Sequence, residues 1–259
     1  MLQVMKNVRW VLGILLLTTA CKKSPLPVIP NEPPKPAAGM TRLEKDGDSW
    51  LTYYNEDGTI RQLVRKLADS SVFNNFDFVY ANGKLQEVNA TGKWKYYYDG
   101  DLISAIETFN NRGELRYRTE FTYANGKMLE RTGYFANVNV PLKPDSRILF
   151  TYTAEGNIAK KTFFDYVNDA WMKTEELHIV AYDNHPNISE HLENFPYLPL
   201  NYYSVNNPVK EIYLTTQGQP YGTAEHAYAY NTANKPVERK SKYSYVGFPD
   251  TYSVVKFHF

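Results

Sequence analysis

The chain has one cysteine, Cys21, in 259 residues, so no disulfide can form within it. It has no surplus of charge either: 29 Lys and Arg stand against 28 Asp and Glu. Phosphate backbones are bound by clustered cations, so this composition argues against a nucleic-acid partner. No apolar run is long enough to span a bilayer as a helix, since the stretch from Trp10 to Leu17 ends at Thr18. The sequence also lacks a Gly-x-Ser-x-Gly elbow and a His-Glu-x-x-His order, which removes the usual signatures of a serine hydrolase and a zinc peptidase. No cofactor motif is present, and no cofactor is expected.

What is present begins with an address. Lys6 and Arg9 precede the short apolar run, which closes on Thr18-Thr19-Ala20-Cys21. A cationic start, a short apolar segment and small residues at the end describe an export signal. Ala20-Cys21 resembles the lipobox of bacterial lipoproteins, in which the cysteine is lipidated and becomes N-terminal. On that resemblance residues 1–20 are a signal peptide, Cys21 is the lipidation site, and the alternative is an ordinary secretory signal cut nearby. From Lys22 to Met40 prolines recur, favouring an extended tether of about 60 Å at about 3.1 Å per residue. Lys22 is not the Asp that retains many Gram-negative lipoproteins at the inner membrane. The expected location is therefore the outer membrane, with the periplasmic face favoured over the cell surface and the lipid anchor as the membrane contact. Without the signal the balance is 27 basic to 28 acidic residues, because Lys6 and Arg9 leave with it.

Residues 41–259 read as a single β-meander domain. Tyr117, Thr119, Phe121 and Tyr123 alternate with Arg118, Glu120 and Thr122, and the same period of two runs through Phe76 to Tyr80, Trp94 to Tyr98 and Leu149 to Tyr152. Short polar turns punctuate these runs. Asn82-Gly83 and Asn125-Gly126 are type I′ hairpin signals, and Asp57-Gly58, Asp99-Gly100, Arg112-Gly113, Glu155-Gly156 and Gln217-Gly218 occupy equivalent slots. Asn184-His185-Pro186-Asn187 and Asn234-Lys235-Pro236 are read as turns built on Asn and Pro. Tyrosines 54, 80, 98, 123, 152, 182 and 230 stand before turns. The expected fold is all-β: an antiparallel up-and-down meander of about 12 to 16 strands, curled or closed into a barrel-like sheet because an open sheet of that size exposes two long edges. Residues 188–203 break the alternation and are expected to cross a barrel mouth or enter its interior.

Two patterns are similar to known ones. Tyr98-Asp99-Gly100-Asp101-Leu102 and Tyr182-Asp183 resemble the tyrosine-aspartate repeats of large bacterial shell and surface proteins. Residues 41–259 more closely resemble a family of uncharacterised exported Gram-negative lipoproteins with a porin-like β fold. The residues that carry this likeness are Tyr182-Asp183-Asn184-His185-Pro186-Asn187, Ser204-Val205-Asn206-Asn207-Pro208, and Tyr228-Ala229-Tyr230 ahead of Asn234-Lys235-Pro236. The resemblance implies a fold and supplies no activity.

Candidate sites are sparse. His185, Glu190, His191 and Glu193 gather potential ligands, but their spacing suits a polar loop, and no metal site is expected. His178, His226 and His258 are expected to face solvent or cap a neighbouring strand. Trp94, Tyr96 and Tyr98 share a strand face and read as core. Trp171 and Tyr197, less bound by the alternation, are the candidates for an exposed ligand contact, with His185 and His191 beside them. The function expected is a lipid-anchored binding or scaffold module for a glycan or an envelope protein. A carbohydrate hydrolase using paired carboxylates is one alternative. An integral outer-membrane barrel is another, since Ser253 to Phe259 ends on Phe in a way similar to the sorting signal of such barrels.

Overall fold

The computed structural model describes residues 39–137, 140–187, 196–198 and 202–259, so the signal, Cys21 and the tether up to residue 38 lie outside the described residues. Its first strands are β1 (Arg42–Lys45), β2 (Asp48–Tyr54), β3 (Ile60–Lys66), β4 (Val72–Ala81), β5 (Lys84–Asn89), β6 (Lys93–Asp99), β7 (Leu102–Phe109) and β8 (Leu115–Ala124). There follow β9 (Lys127–Asn137), β10 (Val140–Tyr152), β11 (Ile158–Val167), β12 (Ala170–Pro186), β13 (Asn206–Leu214), β14 (Pro220–Tyr230), β15 (Pro236–Tyr245) and β16 (Thr251–His258). Each strand pairs antiparallel with its sequence neighbours. β1 then pairs with β16 from Arg42 opposite His258 to Lys45 opposite Val255, which closes the sheet into an up-and-down barrel. Closure removes the two edges that a sheet of this width would otherwise expose.

The hairpin chemistry follows the turn residues. Asn82 and Gly83 have φ of 52° and 73°, and Asn125 and Gly126 have 51° and 74°, as a type I′ turn requires. Gly100 has φ of 56° and opens its turn alone, so that turn is centred one residue later than the sequence pattern placed it. Asn184 to Pro186 does not turn at all: it continues β12, and the chain leaves the sheet only afterwards.

The even-numbered strands end at one rim, and there the pairing slips beside each of seven tyrosines: Tyr54, Tyr80, Tyr98, Tyr123, Tyr152, Tyr182 and Tyr230. In the β2–β3 pair Tyr54 faces Ile60 and Tyr53 faces Gln62, leaving Arg61 as the extra residue of a bulge. Gln86, Ser104, Leu129 and Ala159 are skipped in the same way. The extra residue lets Ile60 and Leu63, Leu85 and Val88, and Ile103 and Ile106 all point into the core at a spacing of three, which an unbroken strand forbids.

A bulge leaves backbone groups outside the ladder, and buried backbone groups need partners. The tyrosines supply them. Tyr54 donates its hydroxyl to the Met40 carbonyl at 2.7 Å, Tyr98 to Leu85 at 2.8 Å, Tyr123 to Ile103 at 2.6 Å and Tyr152 to Met128 at 2.8 Å. Tyr80 and Tyr182 do the same for Ile60 and Ile158. Each hydroxyl therefore reaches back one hairpin, and the rim is a ring of these clasps.

The core is concentrated between β1 and β9 and against β16, where Leu43, Leu63, Val88, Ile103, Ile106 and Val255 are fully enclosed. The described part of the excursion between β12 and β13 packs into this core from the tyrosine rim. Tyr197 sits edge-on to Phe78 with ring centroids 5.2 Å apart, Tyr202 lies edge-on to Tyr123 at 5.9 Å, and the Ile103 N–H donates to the Tyr202 hydroxyl at 2.6 Å. The described residues of the excursion thus plug the barrel interior, and Tyr202 and Ser204 satisfy bulge donors that the tyrosine rim leaves open.

Removing one rim hydroxyl leaves one buried carbonyl without its donor. Tyr123→Phe and Tyr152→Phe should each cost about 1 kcal/mol, a fall in Tm of about 2–4 °C for a domain of this size. Tyr97→Phe, whose hydroxyl meets Glu107 on the exposed outer face, should leave the calorimetric melt nearly unchanged.

Candidate functional site in the barrel lumen

Alternation assigns the lumen face of β13 to β15. Glu211 shares parity with Tyr213, His226 with Tyr228 and Tyr230, and Arg239 and Ser241 with Tyr243 and Tyr245. Cross-strand pairing agrees, since His226 stands opposite Ser241, which in turn stands opposite Ser253 on β16. Glu211, Arg239 and Ser241 are 7%, 6% and 2% exposed, so this side of the lumen encloses charge where the β1–β9 side encloses aliphatic groups.

His226 Nδ1 lies 2.8 Å from Ser241 Oγ, and its Nε2 lies 3.9 Å from a Glu211 oxygen. These are the residue types of a nucleophile relay. The geometry does not complete one. Ser241 is in mid-strand with partners on both sides, its backbone held in the ladder plane, so no pair of N–H groups is aimed at an oxyanion above its hydroxyl. The array is suited to binding polar groups and sharing a proton among them.

Burial pushes the Glu211 carboxyl upward, yet the His226 ring, the Lys161 charge and the Tyr213 hydroxyl together hold it below its ordinary value. Tyr213 donates to Glu211 at 3.1 Å and Tyr221 donates to Glu175 at 2.5 Å. Burial, then the neighbouring carboxylates, raise both phenols, so they remain hydrogen-bond donors. The rings of Tyr213, Tyr221 and Tyr245 meet at centroid distances of 5.7 to 6.2 Å. Gly222 makes this cluster possible, because a Cβ there would lie 2.4 Å from the Tyr245 ring.

At the tyrosine rim the residues that carry the family resemblance form a clasp. Asp183 accepts from the His185 N–H at 2.9 Å, from the Asn207 N–H and side-chain amide at 3.2 Å each, and from the Tyr230 hydroxyl. Asn157 and Asn206 exchange two further bonds, and Ser204 accepts the Ile158 N–H at 3.0 Å. Tyr228 takes over the carbonyl of Pro208, which releases Tyr230 for Asp183. These motif residues pin the ends of the plug to the sheet.

The expected site residues separate accordingly. His185 stacks on Tyr230 at 3.8 Å as part of the clasp. His191, with Glu190 and Glu193, lies outside the described residues, as does Cys21. Tyr197 lies inside the barrel and not on an exposed line, because as part of the plug it packs into the aromatic core against Phe78. Trp171 is partly exposed on the outer face, against Tyr166 at 5.0 Å and with the Arg147 guanidinium 5.9 Å from its ring. His178 and His258 face outward beside Glu176 and Glu44. His226 does not face solvent: it belongs to the lumen. Parity with Tyr228 and Tyr230 was the signal that could have found it.

Because the folded Glu211 carboxyl is held below its unfolded value, its ionisation stabilises the barrel above the ordinary glutamate range, and that stability is lost as pH falls through the lowered value. Below a pH of about 4.3, the Tm of Glu211→Gln should therefore decline less steeply than that of the parent chain in a series of melts.

No family model matches the chain, and no curated protein is similar to it in sequence. Solved structures are similar in fold. The crystal structure of a porin-like protein from Bacteroides uniformis matches 84% of this chain and 95% of its own, with a TM-score of 0.59 and 13% identity. Another porin-like protein, from Bacteroides vulgatus, matches 85% and 98% with a TM-score of 0.49 and 12% identity. The first of these likenesses shows the fold, a porin-like antiparallel β-barrel.

Proposed function

We propose that this chain is a lipid-anchored protein of the outer membrane whose barrel stands in the periplasm on residues 21–40 and serves as a binding or scaffold module. The observation that carries this reading is the outer face. Arg118 bridges Glu107 and Glu120 at 2.8 Å each, Arg147 meets Glu130 at 2.6 Å, Glu176 meets Lys173 at 3.0 Å, and Lys210 meets Glu225 at 3.2 Å. These pairs lie along the middle of strands. A lipid-facing wall needs an apolar band about 25 Å tall, and a mid-plane Arg or Lys costs it about 2–4 kcal/mol. Rows of ion pairs suit water instead. The plug and the enclosed aromatic core favour the same reading, because they fill space that a diffusion pore would keep open.

For the ligand, the half-exposed tyrosines 213, 221 and 245 beside Glu175 combine aromatic faces with acceptors, which is chemistry suited to a saccharide. Trp171 and Tyr166 offer a second aromatic surface, on the outer wall, for an envelope protein.

Cys21→Ser tests the location. The parent chain should sediment with outer membranes and survive carbonate extraction, whereas Cys21→Ser should appear in the soluble periplasmic fraction. A Cys21→Ser protein that resists carbonate would replace this reading with an integral barrel.

A further inference from the structure

The plug fills the lumen from the tyrosine rim, whereas at the opposite rim inward side chains meet solvent. Phe135, opposite Tyr117 on the inner face of β8, is 47% exposed, and Met172, opposite Asp165 on the inner face of β11, is 54% exposed. Thr251, opposite Tyr243 of β15, is exposed as well. Inward residues of a closed barrel reach water through its mouth, so the lumen is open at this end from β9 to β16.

Below that mouth stand Tyr213, Tyr221, Tyr245 and Glu175, each half-buried, and beneath them Glu211 is 7% exposed. Tyr221 is the extra residue of a bulge, since Tyr213 faces Gly222 and Leu214 faces Pro220, and the bulge brings its ring beside the other two. The Tyr245 ring lies over Gly222, its Cδ1 and Cε1 atoms 2.4 and 2.6 Å from where a Cβ would stand. One face of this ring therefore rests on the strand and the other turns to the lumen. The rings are splayed, with Tyr213 at 56° to Tyr221 and 51° to Tyr245, so their faces are not used up on one another.

Glu175 faces inward opposite Phe163 and takes the Tyr221 hydroxyl on Oε2 at 2.5 Å. Among the described residues its Oε1 accepts no hydrogen bond, and no cation pairs with it. The inward cations of the neighbouring strands, Lys161 and His226, act on Glu211 a layer deeper. Aromatic faces carry negative potential and attract an ammonium ion, and a carboxylate beside them supplies its counter-charge.

We propose that the open mouth binds an amino sugar, with its ammonium between Glu175 and the faces of Tyr213, Tyr221 and Tyr245. This deepens the saccharide reading given above, and rests on it.

The test is isothermal titration calorimetry of the full chain in detergent, at a pH where the sugar amine is protonated. The probes are a glucosamine tetrasaccharide, its N-acetylated counterpart and tetralysine. The glucosamine tetrasaccharide should bind the parent chain. The acetylated form, which keeps the rings and loses the charge, should bind at least about tenfold more weakly. Tetralysine, which keeps the charge and loses the stacking rings, should also be at least about tenfold weaker. Glu175→Gln retains an acceptor for Tyr221 and should melt with the parent, yet lose at least about tenfold in affinity for the glucosamine tetrasaccharide. Tyr245→Leu should lose about two- to fivefold. Glu176→Gln, which removes the same charge from the outer face, should bind as the parent does. The proposal is overturned if the glucosamine tetrasaccharide gives no heat, if the acetylated form or tetralysine binds as tightly, if Glu175→Gln binds as the parent does, or if Glu176→Gln weakens binding equally. An acetylated form that binds as tightly removes the ammonium and leaves the saccharide reading standing, whereas silence from both sugars removes the two together. Carbonate extraction reads the location separately.

Discussion

The hydroxyl that a rim tyrosine donates across a hairpin to the carbonyl of a bulged residue is the interaction on which this barrel depends. The bulge comes first in the physical order. Without the extra residue, Ile60 and Leu63, or Ile103 and Ile106, would point to opposite faces and half of the aliphatic core would be lost. With it, a carbonyl and an N–H are turned out of the ladder into a dry environment, where each needs a partner. A tyrosine at the end of the neighbouring even strand is long enough to reach, carries a donor at its tip and adds its own apolar body to the core. The repeating tyrosine is therefore the chemical counterpart of the repeating bulge.

This coupling explains which features were legible in the sequence. Period-two runs gave the strands, Asn-Gly turns gave the hairpins, and the tyrosines before turns marked what became the rim. The bulges themselves carry no local signature: Arg61, Gln86 and Ser104 have nothing in common except that each follows a buried aliphatic residue near the start of its strand. Because a bulge shifts the phase of a strand by one, inward and outward faces cannot be read through it. Beyond the bulge the phase is regular again. Counting back from Tyr228 and Tyr245 places His226 and Ser241 on the inner face. Tyr197 was opaque for a different reason. It lies in a segment without alternation, where only the shape of the enclosing barrel decides that an aromatic residue fills the lumen.

The clasp shows how the same logic ends. At the last hairpins Tyr228 serves the Pro208 carbonyl and Tyr230 turns to Asp183, whose oxygens also gather the backbone and amide donors of the chain as it re-enters the sheet. A carboxylate is needed here because several donors converge, more than one carbonyl can accept. Residues that look functional by motif, Asp183, His185 and Asn207, are thus accounted for by holding the plug. That leaves the lumen's own polar groups as those whose presence folding does not explain.

Among these the two sides of the lumen differ in kind. On β12 to β15, every carboxylate has a donor: Glu175 has Tyr221, and Glu211 has Tyr213 with His226 alongside. Such a satisfied network can be retained for rigidity alone. On the β6 to β8 side the Tyr96 and Thr119 hydroxyls are enclosed without a hydrogen-bond partner, so there the packing of aromatic and aliphatic bodies, and not a polar network, sets the order of the core.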